Sequence, residues 1–391
     1  MKALGRRKIR FGGTWESKAF VAALGLLIIA GRPADSSIQA FHRSFGPKSE
    51  LLVSSPTLEW EVWPSEGARV TSAKMQINGN EVDATYNVAQ RRLEYTPSKP
   101  LLAGVYRVHC EVQVEGRLEV NKDWTFQVST NATPVLSEPS ADQSEAINDA
   151  NRLRNSLGLP GMFQEPRLNA AALAHAKYLT RNHRTGHYEK EGEPGFVGVT
   201  PADRLEAFGY TGGSWECVTF NSGDIFASVQ DLFNAPYHRI PFLQPGRVPA
   251  GTGFAGRNFS MKFGESGDSG ASYSPSSGQT GVPTSWDGNE SPNPLRIHPD
   301  SGMSVGYPVV FAYFGENNPR LKLIDASISC DGVEVPIMTN DPDQDEHLEN
   351  AILLIPKKPL APKTSYEVHV RATVNGQSKL NCSWKFTTGS K

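Results

Sequence analysis

The chain has 391 residues, 38% of them hydrophobic and 20% charged. This length predicts two to four domains, because domains usually run to roughly 100 to 200 residues, and the composition excludes both wholesale disorder and a polytopic membrane protein. The formal net charge of -2 combines a basic head, with six basic side chains against one acidic in residues 1–18, and an acidic remainder, which argues against nucleic acid as a partner because binding phosphates needs a clustered basic face.

The basic head is followed by the apolar run AFVAALGLLIIA (19–30). A helix needs about 20 apolar residues to span a bilayer, so this run is better suited to the apolar region of a secretory signal. Residues 1–40 are therefore predicted to be a signal peptide, with Ala40 as a candidate cleavage point, or a short N-terminal anchor. Either predicts an exported protein, extracellular or at the cell surface, with no other integral membrane segment.

Residues 51–130 have the pattern of short strands. In YRVHCEVQV (106–114) apolar and polar side chains alternate, as in a half-buried strand. Blocks of this region recur at the far end of the chain in the same order: AKMQINGNEV from Ala73 matches ASISCDGVEV from Ala326, and WTFQVS matches WKFTTGS. Such a duplication predicts two all-β sandwiches that resemble Ig-like surface modules, over 51–130 and 296–391.

The four cysteines show none of the close spacings that build zinc knots. Cys330 and Cys382 have the strand parity of core residues of the second sandwich, so both are predicted to face that core and to form a disulfide, which an exported protein permits. Cys110 and Cys217 belong to different modules and are predicted to be separate buried thiols.

Between the sandwiches, residues 140–263 have a helical period, and they return to strands near their end. Thr200, Pro201 and Asp203 form a helix start, with an N-cap, a proline at the first helical position and a carboxylate in the first turn. Residues 264–295 are rich in Gly, Ser and Pro, which predicts a linker, or a loop laid over a neighbouring domain, with Asp287 and Glu290 in solvent.

The central segment resembles the CAP superfamily of SCP-like extracellular domains, in its bacterial branch. The resemblance is carried by NRLRNSLGLP, LNAAALAHAKYL, TGHYE with His187, WECVTF with Glu216, and DLFNAPYHRIPFL with His238. It implies an α-β-α sandwich, and so a multidomain chain with a central α+β domain between two Ig-like sandwiches. It also implies a cleft where His and Glu side chains converge and, in some members, bind a divalent cation such as zinc.

By this resemblance His187, Glu216 and His238 are the predicted cleft residues and metal ligands. Two departures matter: Trp215 precedes the glutamate where the family pattern has glycine, and no carboxylate stands near residues 233–235, so Asp231 is the nearest acid for the cleft. His175 is interpreted as a buried core histidine rather than a fourth ligand.

Two functions from different classes follow. The first is a binding module for a cell-wall, lipid or envelope-protein ligand, without catalysis. The alternative is a cation-dependent, protease-like hydrolase using the same cleft, since two His and one Glu leave an open position for an activated water. No G-x-S-x-G, P-loop or H-E-x-x-H motif is present to support other chemistries, and a purely structural role is the third hypothesis.

Overall fold

The computed structural model describes residues 40–65, 67–115, 118–302, 304–315 and 318–390. The predicted signal peptide or anchor lies outside these residues, apart from Ala40 at the start of the first strand. Within the described ranges no helix is long and apolar enough to cross a membrane. These ranges form two compact units, one with residues 40–46, 58–95 and 107–124, and one with 47–57, 96–106 and 125–390.

The described residues of the N-terminal region form strands joined by turns. In chain order they are β1 Ala40–Gly46, β2 Glu50–Val53, β3 Leu58–Pro64, β4 Val70–Ile77, β5 Asn80–Val82, β6 Thr85–Asn87, β7 Arg92–Tyr95, β8 Gly104–Val114 and β9 Leu118–Thr133. They form two sheets with the orders β1-β3-β7-β6 and β2-β9-β8-β4-β5. In β8 the buried side chains alternate as predicted, at Val108, Cys110, Val112 and Val114, because successive side chains of a strand point to opposite faces.

The central domain combines helices with one four-stranded sheet. Its elements are α1 Ala141–Ser156, β10 Phe163–Gln164, α2 Pro166–Asn182, α3 Pro201–Ala207, β11 Ser214–Thr219, α4 Ile225–Asn234, α5 Pro236–Arg239, a 3-10 helix Ile240–Leu243, β12 Pro249–Ala255 and β13 Asn258–Gly264. The sheet order is β10-β12-β13-β11. The predicted start of α3 is confirmed: Thr200 and Asp203 cap each other's backbone N–H groups around Pro201.

Helix α2 lies on one face of this sheet, and α1 and α4 lie on the other. Two glycines of β12 let α2 approach closely, because a Cβ at Gly251 would stand 2.2 Å from the Asn169 nitrogen and one at Gly253 2.2 Å from the Leu173 Cα. On the opposite face Phe259 and Met261 pack in the same core as the buried residues of α1 and α4. The domain is thus an α-β-α sandwich.

Arg154 joins α1 to the 3-10 helix Ile240–Leu243 and to the residues directly after it. Its guanidinium is buried and donates to the carbonyls of Phe242 (2.7 Å), Gln244 (2.9 Å) and Gly246 (2.7 Å). Burial lowers the pKa of Arg154 to about 10. One arginine therefore satisfies three backbone acceptors in and just after the 3-10 helix, as buried carbonyls require.

The C-terminal region repeats the strand order of the N-terminal one, except that its described residues include no counterpart of β2. Its elements are β14 Gly270–Ser274, a 3-10 helix Pro294–Ile297, β15 Val309–Phe314, β16 Leu321–Cys330, β17 Val333–Val335, β18 Ile337–Asn340, β19 Ala351–Pro356, β20 Ser365–Val374 and β21 Ser378–Thr387. The sheets have the orders β14-β15-β19-β18 and β17-β16-β20-β21. The predicted fold class, a central α+β domain between two all-β Ig-like sandwiches, is confirmed.

The segment predicted as a linker, 264–295, contains regular structure. Its strand β14 pairs with β15 along Gly270–Ser274 and takes the edge place that β1 has in the first sandwich. A strand that hydrogen-bonds to a neighbour satisfies its backbone without a large apolar surface of its own, which explains why Gly- and Ser-rich composition concealed it.

The central domain and the C-terminal sandwich share one hydrophobic core. Phe242 and Phe263 of the central domain belong to the same buried cluster as Val310, Leu353 and Ile355 of the sandwich. The C-terminal sandwich therefore packs against the α1 and α4 side of the central sheet and is not connected to it only by a flexible linker.

The predicted disulfide is wrong. Cys382 on β21 opposes Val370 of β20, which opposes Ala326 of β16, so β20 separates Cys382 from the strand that carries Cys330. Strands two positions apart are about 9.6 Å apart, beyond the Cα separation of about 7 Å that a disulfide can bridge. Both thiols are free and face the same core, as their parity predicted, but from one sheet.

We expect all four cysteines to react with iodoacetamide in the unfolded protein without prior reduction. The predicted buried thiols Cys110 and Cys217 are confirmed as buried and free, so they should be labelled only after unfolding. Intact mass spectrometry counts the added groups. A mass showing two unlabelled cysteines without reductant, and four labelled with it, would contradict the strand register.

Candidate functional site

Strand β11 directs neighbouring residues to opposite faces of the central sheet. Glu216 points toward α2, and its side chain is only 2% exposed. Cys217 points the other way, where its sulfur lies 3.7 Å from the His238 carbonyl oxygen. This alternation is a property of any strand, and it decides which of the predicted site residues can meet.

His187 and Glu216 do meet. The Nδ1 atom of His187 lies 3.0 Å from Oε1 of Glu216, and 31% of the His187 side chain is exposed. Because a carboxylate only accepts hydrogen bonds, Nδ1 carries the proton and Nε2 is the acceptor of the neutral ring. No described residue hydrogen-bonds to Nε2, so this nitrogen is the part of the pair available to a ligand.

Two buried basic side chains contact the Glu216 carboxylate. Nη2 of Arg204 lies 2.9 Å from both carboxylate oxygens, and Nζ of Lys262 lies 2.5 Å from Oε2. Both basic side chains are fully buried. Sequence reasoning missed both. Lys262 shares the polar face of β13 with Ser260, and a lysine between Met261 and Phe263 in a buried strand was a usable signal.

His175 and Glu189 complete the network below the surface. The two ring nitrogens of His175 face Oε1 of Glu189 at 2.9 Å and the Gly186 carbonyl at 3.1 Å. The other Glu189 oxygen accepts from the Val197 N–H. His175 is thus a fully bonded core histidine, as interpreted from sequence.

The surroundings of Glu216 keep its carboxylate ionised. Burial acting alone would raise its pKa, but the charge of Lys262, the hydrogen bond from His187 and the charge of Arg204 together hold the pKa well below the usual 4.5. Burial lowers the pKa of Lys262 while the Glu216 charge opposes that change. The network is therefore a set of mutually compensated charges with one exposed imidazole.

His238 lies on the other face of the sheet and does not join this group. Its Nδ1 is 2.5 Å from Oε1 of Glu290, and the Tyr237 N–H donates to the other Glu290 oxygen at 2.9 Å. Glu290 was expected in solvent, but its side chain is fully buried. Glu290 is buried because the start of α5 offers backbone N–H groups and the His238 imidazole, and its carboxylate bonds to them.

Asp231 does not approach the cleft residues either. It is partly buried on α4, and burial together with the charge of Asp287 raises its pKa. Of the four residues predicted for the cleft, the structure therefore brings together two, His187 and Glu216.

A protein-family model matches the central domain. Residues 147–258 match the model of the cysteine-rich secretory protein family, CAP. This segment is a CAP domain. The match spans the helices, the β11 glutamate and the His-Arg pair that carried the resemblance in the sequence, and that prediction is confirmed.

Solved structures resemble the chain weakly. An extracellular SCP-domain protein from Bacillus anthracis strain Ames is 15% identical over 44% of this chain, with a TM-score of 0.29, and the chain spans only 63% of that protein's length. A cysteine-rich secretory protein from Staphylococcus aureus Mu50 is 12% identical, covering 58% of this chain and 83% of that one, with a TM-score of 0.21. Extracellular domains 3–5 of Drosophila OTK are 12% identical, covering 90% of this chain and 98% of that one, with a TM-score of 0.18. No curated protein matches the chain.

The residues of this CAP domain do not fit the divalent cation that the resemblance implies. The three predicted ligands need to converge, whereas His238 is separated from Glu216 by the sheet and is bonded to Glu290. Glu216 already accepts from Lys262 and Arg204. Within the described ranges, no three His, Cys, Asp or Glu side chains form a group that could hold a metal ion.

Proposed function

We propose that the chain is an exported binding protein of the cell surface or extracellular space, whose CAP domain binds a ligand at His187. The observation that carries the proposal is the contrast within one network: Glu216, Arg204 and Lys262 are almost completely buried, while the His187 side chain is 31% exposed. A buried scaffold that fixes one exposed polar group is the usual design of a recognition site.

The chemistry of His187 favours a ligand that donates a hydrogen bond. With Nδ1 committed to Glu216, Nε2 is an acceptor. Tyr188, which is 56% exposed, adds an aromatic surface next in the chain. A hydroxyl-bearing cell-wall, lipid or envelope-protein ligand satisfies this chemistry, whereas the acidic body of the protein disfavours nucleic acid.

Binding is better supported than hydrolysis. The alternative, a cation-dependent hydrolase, needs His238 beside Glu216, and His238 lies across the sheet. Cys217 does not supply a nucleophile: burial raises its pKa well above the usual value, so its reactive thiolate is not available. Neither His238 nor Cys217 therefore supports hydrolysis at the His187–Glu216 pair.

We expect the substitution His187→Ala to weaken binding about tenfold, because one hydrogen bond contributes about 1 to 1.5 kcal/mol. The probes are an insoluble cell-wall preparation and phospholipid vesicles, each tested by co-sedimentation over a range of protein concentrations. Thermal unfolding of the variant should stay close to that of the wild type, since the imidazole is partly exposed.

His183→Ala is the matched control, because His183 is exposed at the end of α2 and should leave sedimentation unchanged. Failure of the wild type to bind either probe, or equal binding by the wild type and His187→Ala, would count against the proposal.

A further inference from the structure

The buried lysine that contacts Glu216 bears on which ligands the CAP domain can bind. Lys262 lies in the middle of β13, is completely buried, and places its ammonium against Glu216. Charged side chains are almost never fully buried unless they are paired. The ammonium of Lys262 beside the Glu216 carboxylate therefore limits what can bind at this carboxylate.

All the acceptor positions of Glu216 are in use. One oxygen, Oε1, accepts from His187 at 3.0 Å and from Arg204 at 2.9 Å. The other, Oε2, accepts from Lys262 at 2.5 Å and from Arg204 at 2.9 Å. An ionised carboxylate offers about four lone-pair positions, so a metal ion would have to displace one of these donors.

The charges of the network are balanced without a metal. Glu216 and Glu189 supply two negative charges, and Arg204 and Lys262 supply two positive charges, with Arg204 within 3.5 Å of both carboxylates. A divalent cation would add two uncompensated charges to a buried group, where desolvation penalises each of them.

We infer that the basic side chains of Lys262 and Arg204 occupy the position beside Glu216 that a divalent cation would take. The CAP domain then binds a hydrogen-bond-donating ligand through His187 without a divalent cation. The inference rests on the proposed function only for the ligand. Lys262 is a positioning residue: its ammonium fixes Glu216, and Glu216 fixes the His187 ring. The exposed Nε2 then acts as a plain acceptor for a ligand hydroxyl.

Zinc chloride titration by calorimetry, on the full chain without affinity-tag histidines, tests this directly. The wild type should show no saturable zinc binding. Lys262→Met removes the ammonium and frees one position on Glu216 beside His187, so we expect this variant to bind zinc saturably, at least about tenfold more tightly than any residual binding by the wild type. Adding His187→Ala to Lys262→Met should remove the gain.

Lys177→Met, at an exposed lysine of α2, is the matched control and should behave as the wild type. Stoichiometric zinc binding by the wild type that His187→Ala abolishes would overturn the inference, and this test does not depend on how Lys262→Met folds. Equally weak binding by a folded Lys262→Met variant would overturn it too. Zinc titration uses neither the cell-wall probe nor the lipid probe, so the inference and the proposed function can fail separately. If the proposed function is wrong, the protein binds neither probe, with or without EDTA.

Discussion

Replacing Glu216 with glutamine is expected to lower the free energy of unfolding by about 3 to 5 kcal/mol, the usual cost of breaking a buried ion pair. The amide keeps the shape of the side chain but leaves the ammonium of Lys262 and the guanidinium of Arg204 buried without their shared counter-charge. Urea denaturation followed by tryptophan fluorescence measures the change.

The matched control is Glu191→Gln, at an exposed glutamate near the cleft, which should change stability by less than about 0.5 kcal/mol. A double variant, Glu216→Met with Lys262→Met, removes both charges and should recover much of the loss, because apolar residues of similar volume often replace a buried pair at little cost. A Glu216→Gln variant as stable as the wild type would show that the network does not stabilise the domain.

Acid provides an independent measurement of the same carboxylate. The pKa of Glu216 is well below its ordinary value of 4.5 in the folded protein, so its contribution is complete above the unfolded pKa and is lost as the pH falls below about 4.5 toward the folded pKa. The wild type should lose stability over this range faster than Glu216→Gln. Parallel stability curves for the two proteins between pH 5 and pH 3 would contradict the assignment.

The sequence predicted the two sandwiches well, because the alternation of apolar and polar side chains along a strand is a local property. Alternating side chains in β8 and the recurring blocks at Ala73 and Ala326 identified two sandwiches, and their shared strand order confirms the duplication. The strand β14 was not predicted, because its pairing with β15 depends on a partner far along the chain.

The candidate site was predicted in part for the same reason. Parity alone places Glu216 and Cys217 on opposite faces of β11, but which face receives His238 depends on how α5 packs against the C-terminal sandwich. The ion pair of Lys262 with Glu216 depends on the register of β11 against β13, which no local pattern specifies. Strand parity likewise predicted that Cys330 and Cys382 face the core, but it could not show that β20 lies between the strands that carry them.

Arg239→Ala is expected to lower the free energy of unfolding by about 3 kcal/mol or more, because it leaves several buried carbonyls without a donor and opens a cavity. The buried guanidinium donates to the carbonyls of Phe233 (2.6 Å) and Asn234 (3.2 Å) in the CAP domain and of Pro308 (2.9 Å) in the C-terminal sandwich. It also lies 4.4 Å from the centre of the Tyr307 ring. Urea denaturation measures the loss.

Arg239→Lys separates charge from geometry. An ammonium has the charge but neither the planar fork that reaches three carbonyls nor the flat face that stacks on Tyr307, so this variant should be destabilised nearly as much as Arg239→Ala. Arg181→Ala, at an exposed arginine of α2, is the control and should be close to the wild type. Because Arg239 joins the CAP domain to the sandwich, its loss should also speed protease cleavage in residues 275–293. Unchanged cleavage together with a small stability loss would mean that the shared core around Phe242 and Leu353 alone holds the two together.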